Sequence, residues 1–305
     1  MDLKEIESFE ALVLLSAATD TPEKLKALLQ NNRLIRRMGK HCCRSKRMKE
    51  RVFGLDAVFG KAWGCPKCYK VESFRKASLF DRSHVEPMMI LKMAYLYVRQ
   101  NLNVTDIRSM VSNPPAVATV TDWLQFFRDV MSKNVMEETR GKIGGPGKLV
   151  VVDETVLGHR RYHRGQPIAR ETCWVLGMYE VETKTGILEF IPNRKREEIV
   201  PRIVSKVELG SEIHTDERRS YASLTAAGYI HKTVNHSQTF MAPDGTHTNH
   251  VLAYFSRVKQ LLRRKNVKGV DRISSYLDEF MWRERHKDSL WPDFIAAIQR
   301  RYRFH

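Results

Sequence analysis

LVVVDETVLG, residues 149–158, decides how the rest of the chain is read. Three valines at 150–152 follow Leu149, a run that no strand with one face in water carries; continuous β-branched residues belong to a strand covered on both faces. Asp153 closes the run, so its carboxylate is expected at the tip of a buried strand, a good place for a metal ligand. Just upstream, GKIGGPGK at 141–148 concentrates glycines beside a proline and marks a domain boundary.

Downstream, short strands come first in a meander and then alternate with helices. CWVLGMYEVE and GILEFIP read as strands, REEIVPRIVSKV as a helix, SEIHTDE as a strand, SYASLTAAG as a helix and HKTVN as a strand. That order predicts an α/β fold, a mixed sheet flanked by helices. Asp216 leaves the strand SEIHTDE just as Asp153 leaves its own. Any single Asp is more often a solvated strand end or a helix cap, but two on neighbouring strand ends can share a divalent ion. Hard cations such as Mg²⁺ or Mn²⁺ prefer oxygen ligands, and a pair of them can clamp the attacking and leaving oxygens of a phosphodiester displacement. Glu154, next to Asp153, is expected on the opposite side of its strand and in a structural role.

Upstream of the boundary the chain reads as three further segments: a helical lead-in at 1–38, a small cysteine module at 39–80 and a helical, DNA-binding region at 81–144, before the α/β domain and its C-terminal helices at 145–305. In the cysteine module, Cys65-Pro66-Lys67-Cys68 is a zinc knuckle. Cys42 and Cys43 are adjacent, and adjacent residues seldom bind one tetrahedral ion. Two readings of this degenerate zinc-ribbon-like module stay open: Zn²⁺ held by Cys43, Cys65 and Cys68 with His41 as the fourth ligand, or no metal at all.

The 305 residues carry 52 Lys and Arg against 35 Asp and Glu, a formal charge of +17. Such a field attracts polyanions, above all nucleic acid. No stretch reaches the ~18 apolar residues of a membrane span. The N-terminal text has acids where a secretion signal needs a basic start, so an intracellular setting is expected. HRRYHRG at 159–165 places Arg160, Arg161, Tyr162 and Arg164 just after the first acid, where a DNA backbone would pass. Lys259 and Arg263 recur at helical spacing further on and could line the same groove.

Five words, in this order, carry a family resemblance: VDETVLGHRRYHRGQPI, WVLGMYEVETKTG, SEIHTDERRSYASLTAAGYIHKTVNHSQTF, DGTHTNHVLAYFSRVKQLLRR and YLDEFMWR. Together they resemble the transposase domain of Merlin-type DNA transposons and related bacterial insertion sequences. The resemblance implies an RNase H-like fold with a DDE triad, Asp153 its first acid and Asp216 its second. It implies double-stranded DNA at transposon ends as the partner, a homo-oligomer on that DNA, and strand cleavage and transfer with Mg²⁺ or Mn²⁺. The compartment would be the nucleus of a eukaryote or the cytoplasm of a bacterium. His236 falls in the family's VNHS word, close to the acids.

One position departs from the pattern. The family's third acid follows the His-Thr-Asn word by three residues; that word is His247-Thr248-Asn249 here, and position 252 is Leu252. The register is right, because 252 lies 36 residues beyond Asp216 and Lys259 lies seven beyond 252. Asn249, one turn earlier, could offer a neutral oxygen to the metal but reads better as a helix cap. A chain lacking the third acid is expected to cleave poorly. The other reading left open is a domesticated or decayed transposase that only binds DNA.

Overall fold

The computed structural model describes residues 2–43, 46–52, 58–159, 172–234, 247–267 and 270–303. They form two compact units, one of Met1–Val130 with Asp288–His305 and one of Met131–Lys287.

The first unit opens with α1 (Phe9–Ala18) and α2 (Pro22–Asn31). Each starts where local chemistry says it should. The Ser8 hydroxyl accepts from Ala11 N at 3.1 Å, the Thr21 hydroxyl accepts from Lys24 N at 3.3 Å, and Pro22 sits where its missing N–H costs nothing. Five short strands follow. β1 (His41–Cys42) pairs with β2 (Lys46–Arg47), and β3 (Lys49–Val52), β4 (Lys61–Gly64) and β5 (Val71–Glu72) form an antiparallel sheet. Then come α3 (Pro87–Gln100), α4 (Val104–Met110) and α5 (Val117–Glu138), and the unit boundary falls within α5. Helix α3 is buried on nearly every side, which is why its text is apolar at almost every position.

Residues 288–305, expected to close the domain that begins near 145, belong instead to this first unit through α9 (Leu290–Arg301). The indole N–H of Trp291 donates to the Leu3 carbonyl at 2.7 Å, and its ring stands edge-on to Tyr95 at 5.1 Å. Burying one such aromatic contributes on the order of 2–3 kcal/mol. That is enough to tie the two chain ends into one core.

In the second unit, β7 (Leu149–His159), β8 (Thr172–Glu180) and β9 (Thr185–Ile191) make an antiparallel meander. β11 (Glu212–Asp216) and β12 (Ile230–Val234) add on the β7 edge, both parallel to it, giving the order β12-β11-β7-β8-β9. A small parallel pair, β6 (Ile143–Gly144) with β10 (Val207–Glu208), stands apart. The valine run is explained by cover on both faces. Val150 and Val152 join a core with Met178, Ile187 and the α6 (Arg196–Lys206) residues Ile199 and Ile203. Helix α7 (Asn249–Arg264) packs on β7 and β8 from the opposite face, and all three valines are 0% exposed.

Gly177 on β8 permits that close approach, since a methyl group there would stand 2.5 Å from a Phe255 ring carbon. α8 (Val270–Arg285) then packs on β9 and sets Phe280 against Tyr254 of α7, ring centres 5.0 Å apart. A three-strand meander extended by two parallel strands, with helices on both faces, is an RNase H-like sheet.

Candidate active site

Asp153 is not at the tip of its strand, because β7 runs on to His159 alongside β8. What ends is the pairing with β11. The last paired residues are Val151 and His214, and Asp153 and Asp216 each lie two positions further along. Two parallel strands that part in this way open a crevice at the edge of the buried sheet, and the next side chains face it. Carboxylate oxygens of Asp153, Glu154 and Asp216 all lie within 4.8 Å of one another there.

Glu154 is the member that sequence reasoning set aside. Alternation does send it to the face opposite Asp153: its Oε1 accepts from the Tyr221 hydroxyl at 2.8 Å, on the side of the α6 core, while Thr155 faces α7 and accepts from Lys259 Nζ at 2.6 Å. Beyond the last β7–β11 pair no strand separates the two faces, so carboxylates from both sides converge on the crevice. The side chain of Glu154 is 1% exposed. The Arg218 Nε donates to Asp216 Oδ2 at 2.8 Å and stands 3.8 Å from Glu154 Oε2, so one guanidinium balances two of the acids. The signals for these partners were the DE pair at 153–154 and the RRSY run at 218–221.

Burial pushes the Asp153 carboxyl up to about 6, helped by the charge of Asp216 and opposed by the Glu154 backbone N–H, Arg218 and Lys259. Burial likewise pushes Glu154 up to about 7, against the Tyr221 hydrogen bond and with the neighbouring aspartates adding to the rise. Both values stand above the ordinary ones, so without metal the folded chain prefers the protonated acids, and their contribution to stability is lost as pH rises through 6 and 7. A divalent cation needs the ionised forms. The rise in Tm given by Mn²⁺ should therefore be largest above pH 7 and fade towards pH 5, following the raised values of Asp153 and Glu154. Calorimetry across that range checks it, and an equal rise at both ends would contradict it.

Helix α7 carries the position of the missing acid. Val251 and Phe255 cover Gly177, the cross-strand partner of Asp153, so this part of α7 passes over the level of Asp153. Leu252 is 37% exposed, two turns before Lys259 on one stripe of the helix. Asn249 is not the cap: Thr248 holds that position and Asn249 is the exposed first residue of the helix. Arg263 is exposed on the same helix. Arg160, Arg161, Tyr162, Arg164 and His236 lie outside the described residues.

In the first unit the four sulfurs of Cys42, Cys43, Cys65 and Cys68 lie within 4.8 Å of one another. Cys42 Sγ is 3.6 Å from Cys68 Sγ, and Cys43 Sγ is 3.6 Å from Cys65 Sγ. Cys42, not His41, completes the set; the His41 Nε2 lies 3.4 Å from the Arg47 guanidinium. The adjacent pair can converge because β1 ends at Cys42, which frees Cys43 from strand alternation. The backbone N–H groups of Cys68 and Lys67 lower the Cys65 thiol to about 6, which favours the thiolate a metal needs.

An RNase H-like sheet whose first and fourth strands bring acids to a shared crevice defines the DDE class of fold. Residues 144–285 match the ISXO2-like transposase domain. Solved structures of low similarity include the HTLV-2 integrase catalytic core domain with magnesium, 14% identical over 47% of this chain and 87% of that one, TM-score 0.29. The Mos1 transposase paired-end complex with left transposon end is 12% identical over 98% of this chain and 99% of that one, TM-score 0.28. No curated protein matches the chain.

Proposed function

We propose that this chain binds double-stranded DNA at transposon ends as a homo-oligomer and carries a divalent-metal centre for strand cleavage and transfer, working slowly because of Leu252. The observation that carries this reading is the convergence of Asp153, Glu154 and Asp216 within 4.8 Å. Three hard oxygen donors in a half-buried crevice suit Mg²⁺ or Mn²⁺, with Glu154 taking the place of the acid absent at 252. Bound there, the cation would polarise the scissile phosphate and activate the attacking oxygen. The protein's own part is to hold that geometry. Tyr221 fixes Glu154, Lys259 beside Thr155 supplies positive charge near Asp153, and Arg218 must yield Asp216 to the metal.

A 420 Å³ notch lined by five cations, Arg194, Lys195, Arg196, Arg218 and Arg219, together with Ser220 and one acid, Glu197, adjoins Arg218, the partner of Asp216, and would seat a phosphate flanking the scissile one. Work on genomic DNA implies the nucleus of a eukaryotic host or the cytoplasm of a bacterial one. Among the described residues no helix is long and apolar enough to cross a membrane. The test is to incubate the full chain with Mg²⁺ or Mn²⁺ and DNA carrying the element's own ends. Slow cutting that requires Asp153 and Asp216 supports the reading, and DNA binding without any metal uptake would favour a protein that only binds DNA.

The cysteine cluster we assign to structural Zn²⁺. Purified protein should hold about one equivalent, and Cys68→Ser should release it and lower Tm, because metal affinity here is folding free energy. Metal analysis with a melting curve decides it; a folded, zinc-free natural chain would refute the assignment.

A further inference from the structure

A second basic cavity lies in the first unit, outside the transposase domain. It encloses about 650 Å³ between the end of α2, the loop at 33–38 and the last turn of α9. Lys4, Arg33, Arg36, Arg37, Arg300 and Arg303 line it, and among the described residues no acidic one does. The bland explanation is that these cations answer the negative C-terminal ends of α2 and α9. Each helix end is worth about half a charge, so the two account for roughly one of six. Arg36 is paired with Glu72 Oε2 at 3.7 Å, and the other oxygen of that carboxylate takes Lys40 at 2.6 Å, so Arg36 does not count towards a ligand site.

The loop is also built rather than loose. Arg37 Nε donates to the Gln30 carbonyl at 3.1 Å and its terminal nitrogen to Asn31 Oδ1 at 3.0 Å; Gln30 Nε2 donates to the Arg36 carbonyl at 3.0 Å. Gln299 Nε2 on α9 donates to the Asn32 carbonyl at 2.8 Å, joining the two walls. Arg33, the residue after the C-cap Asn32, takes the left-handed conformation (φ 53°) that closes α2, with Leu34 N donating to the Leu29 carbonyl at 2.8 Å, and its side chain is exposed. A fixed loop that holds exposed guanidinium groups beside a concave basic surface suits an anionic ligand.

We propose that this cavity is a phosphate site for the DNA backbone, seating consecutive phosphates of one strand under the guanidinium groups, with Tyr302 and Met38 as an apolar floor against the sugars. Free polyphosphate shares that chemistry; DNA is the occupant favoured, because the chain's net charge of +17 suits a long polyanion. The site needs no metal at Asp153, so it stands or falls separately from the catalytic reading.

The test is anisotropy of a labelled duplex with the full chain, across a salt series and without added divalent ion. The triple variant Arg33→Ala, Arg300→Ala, Arg303→Ala should bind about 10-fold more weakly at moderate salt. Its slope of log affinity against log salt should be shallower by about 2 to 3, near 0.9 per lost phosphate contact. Arg303→Ala alone, at an exposed position, should lower the slope by about 1 and decides the matter if the triple variant does not fold. Unchanged affinity and slope in folded variants would overturn the proposal. So would tripolyphosphate raising the natural chain's Tm, and not the variant's, while DNA affinity stayed the same.

Discussion

Asp153→Asn or Asp216→Asn should abolish divalent-metal binding in the second unit and with it all metal-dependent cutting, while duplex affinity stays within about 3-fold. Each change keeps the shape and removes one negative ligand. With Leu252 already in place of an acid, the centre has three carboxylates, and losing one leaves too little charge to hold a doubly charged ion against water. Glu154→Gln should do nearly the same. Stability should change in the opposite sense for Asp153→Asn and Glu154→Gln: each removes a buried carboxyl crowded by its neighbours, so these metal-free variants should melt no lower than the natural chain, whereas Asp216→Asn also gives up the pair with Arg218. A readout of metal uptake beside the melting curve separates loss of the site from loss of the fold.

Leu252→Glu should raise Mn²⁺ affinity about 10-fold, or ~1.4 kcal/mol, and cleavage of cognate ends by ~10²-fold, the scale on which misplacing a reacting oxygen by about 1 Å is felt. The geometry supports a local effect. Val251 and Phe255 cover the partner strand at the level of Asp153, Leu252 beside Val251 is exposed, and Lys259 on the same stripe reaches Thr155. A glutamate near the start of α7 also meets the positive end of the helix, so the fold should tolerate it within about 1 kcal/mol. Robust cutting by the natural chain that Asn249→Ala abolishes and Leu252→Glu leaves unchanged would show that the register is wrong.

Much of this was legible in the sequence because it is local. The valine run required cover on both faces, and α6 and α7 supply it; the meander-then-alternation order gave the mixed sheet; Asp216 ends β11 as read. Three points were not legible because they depend on contacts distant along the chain or on where a ladder stops. Glu154 obeys strand alternation and still reaches the acids, since β7 and β11 part after Val151 and His214. Cys42 displaces His41 because β1 is only two residues long. Trp291 belongs with Leu3, nearly the whole chain away, and no periodicity announces such a pairing.

The most direct measurement is a Mn²⁺ titration, by calorimetry or paramagnetic resonance, of the zinc-loaded natural chain beside Asp153→Asn and Glu154→Gln. A centre formed by Asp153, Glu154 and Asp216 predicts saturable Mn²⁺ binding to the natural chain at pH 8, absent from Asp153→Asn and weakened at least 10-fold in Glu154→Gln. Absence of binding in the natural chain, or binding that Glu154→Gln leaves untouched, would contradict it.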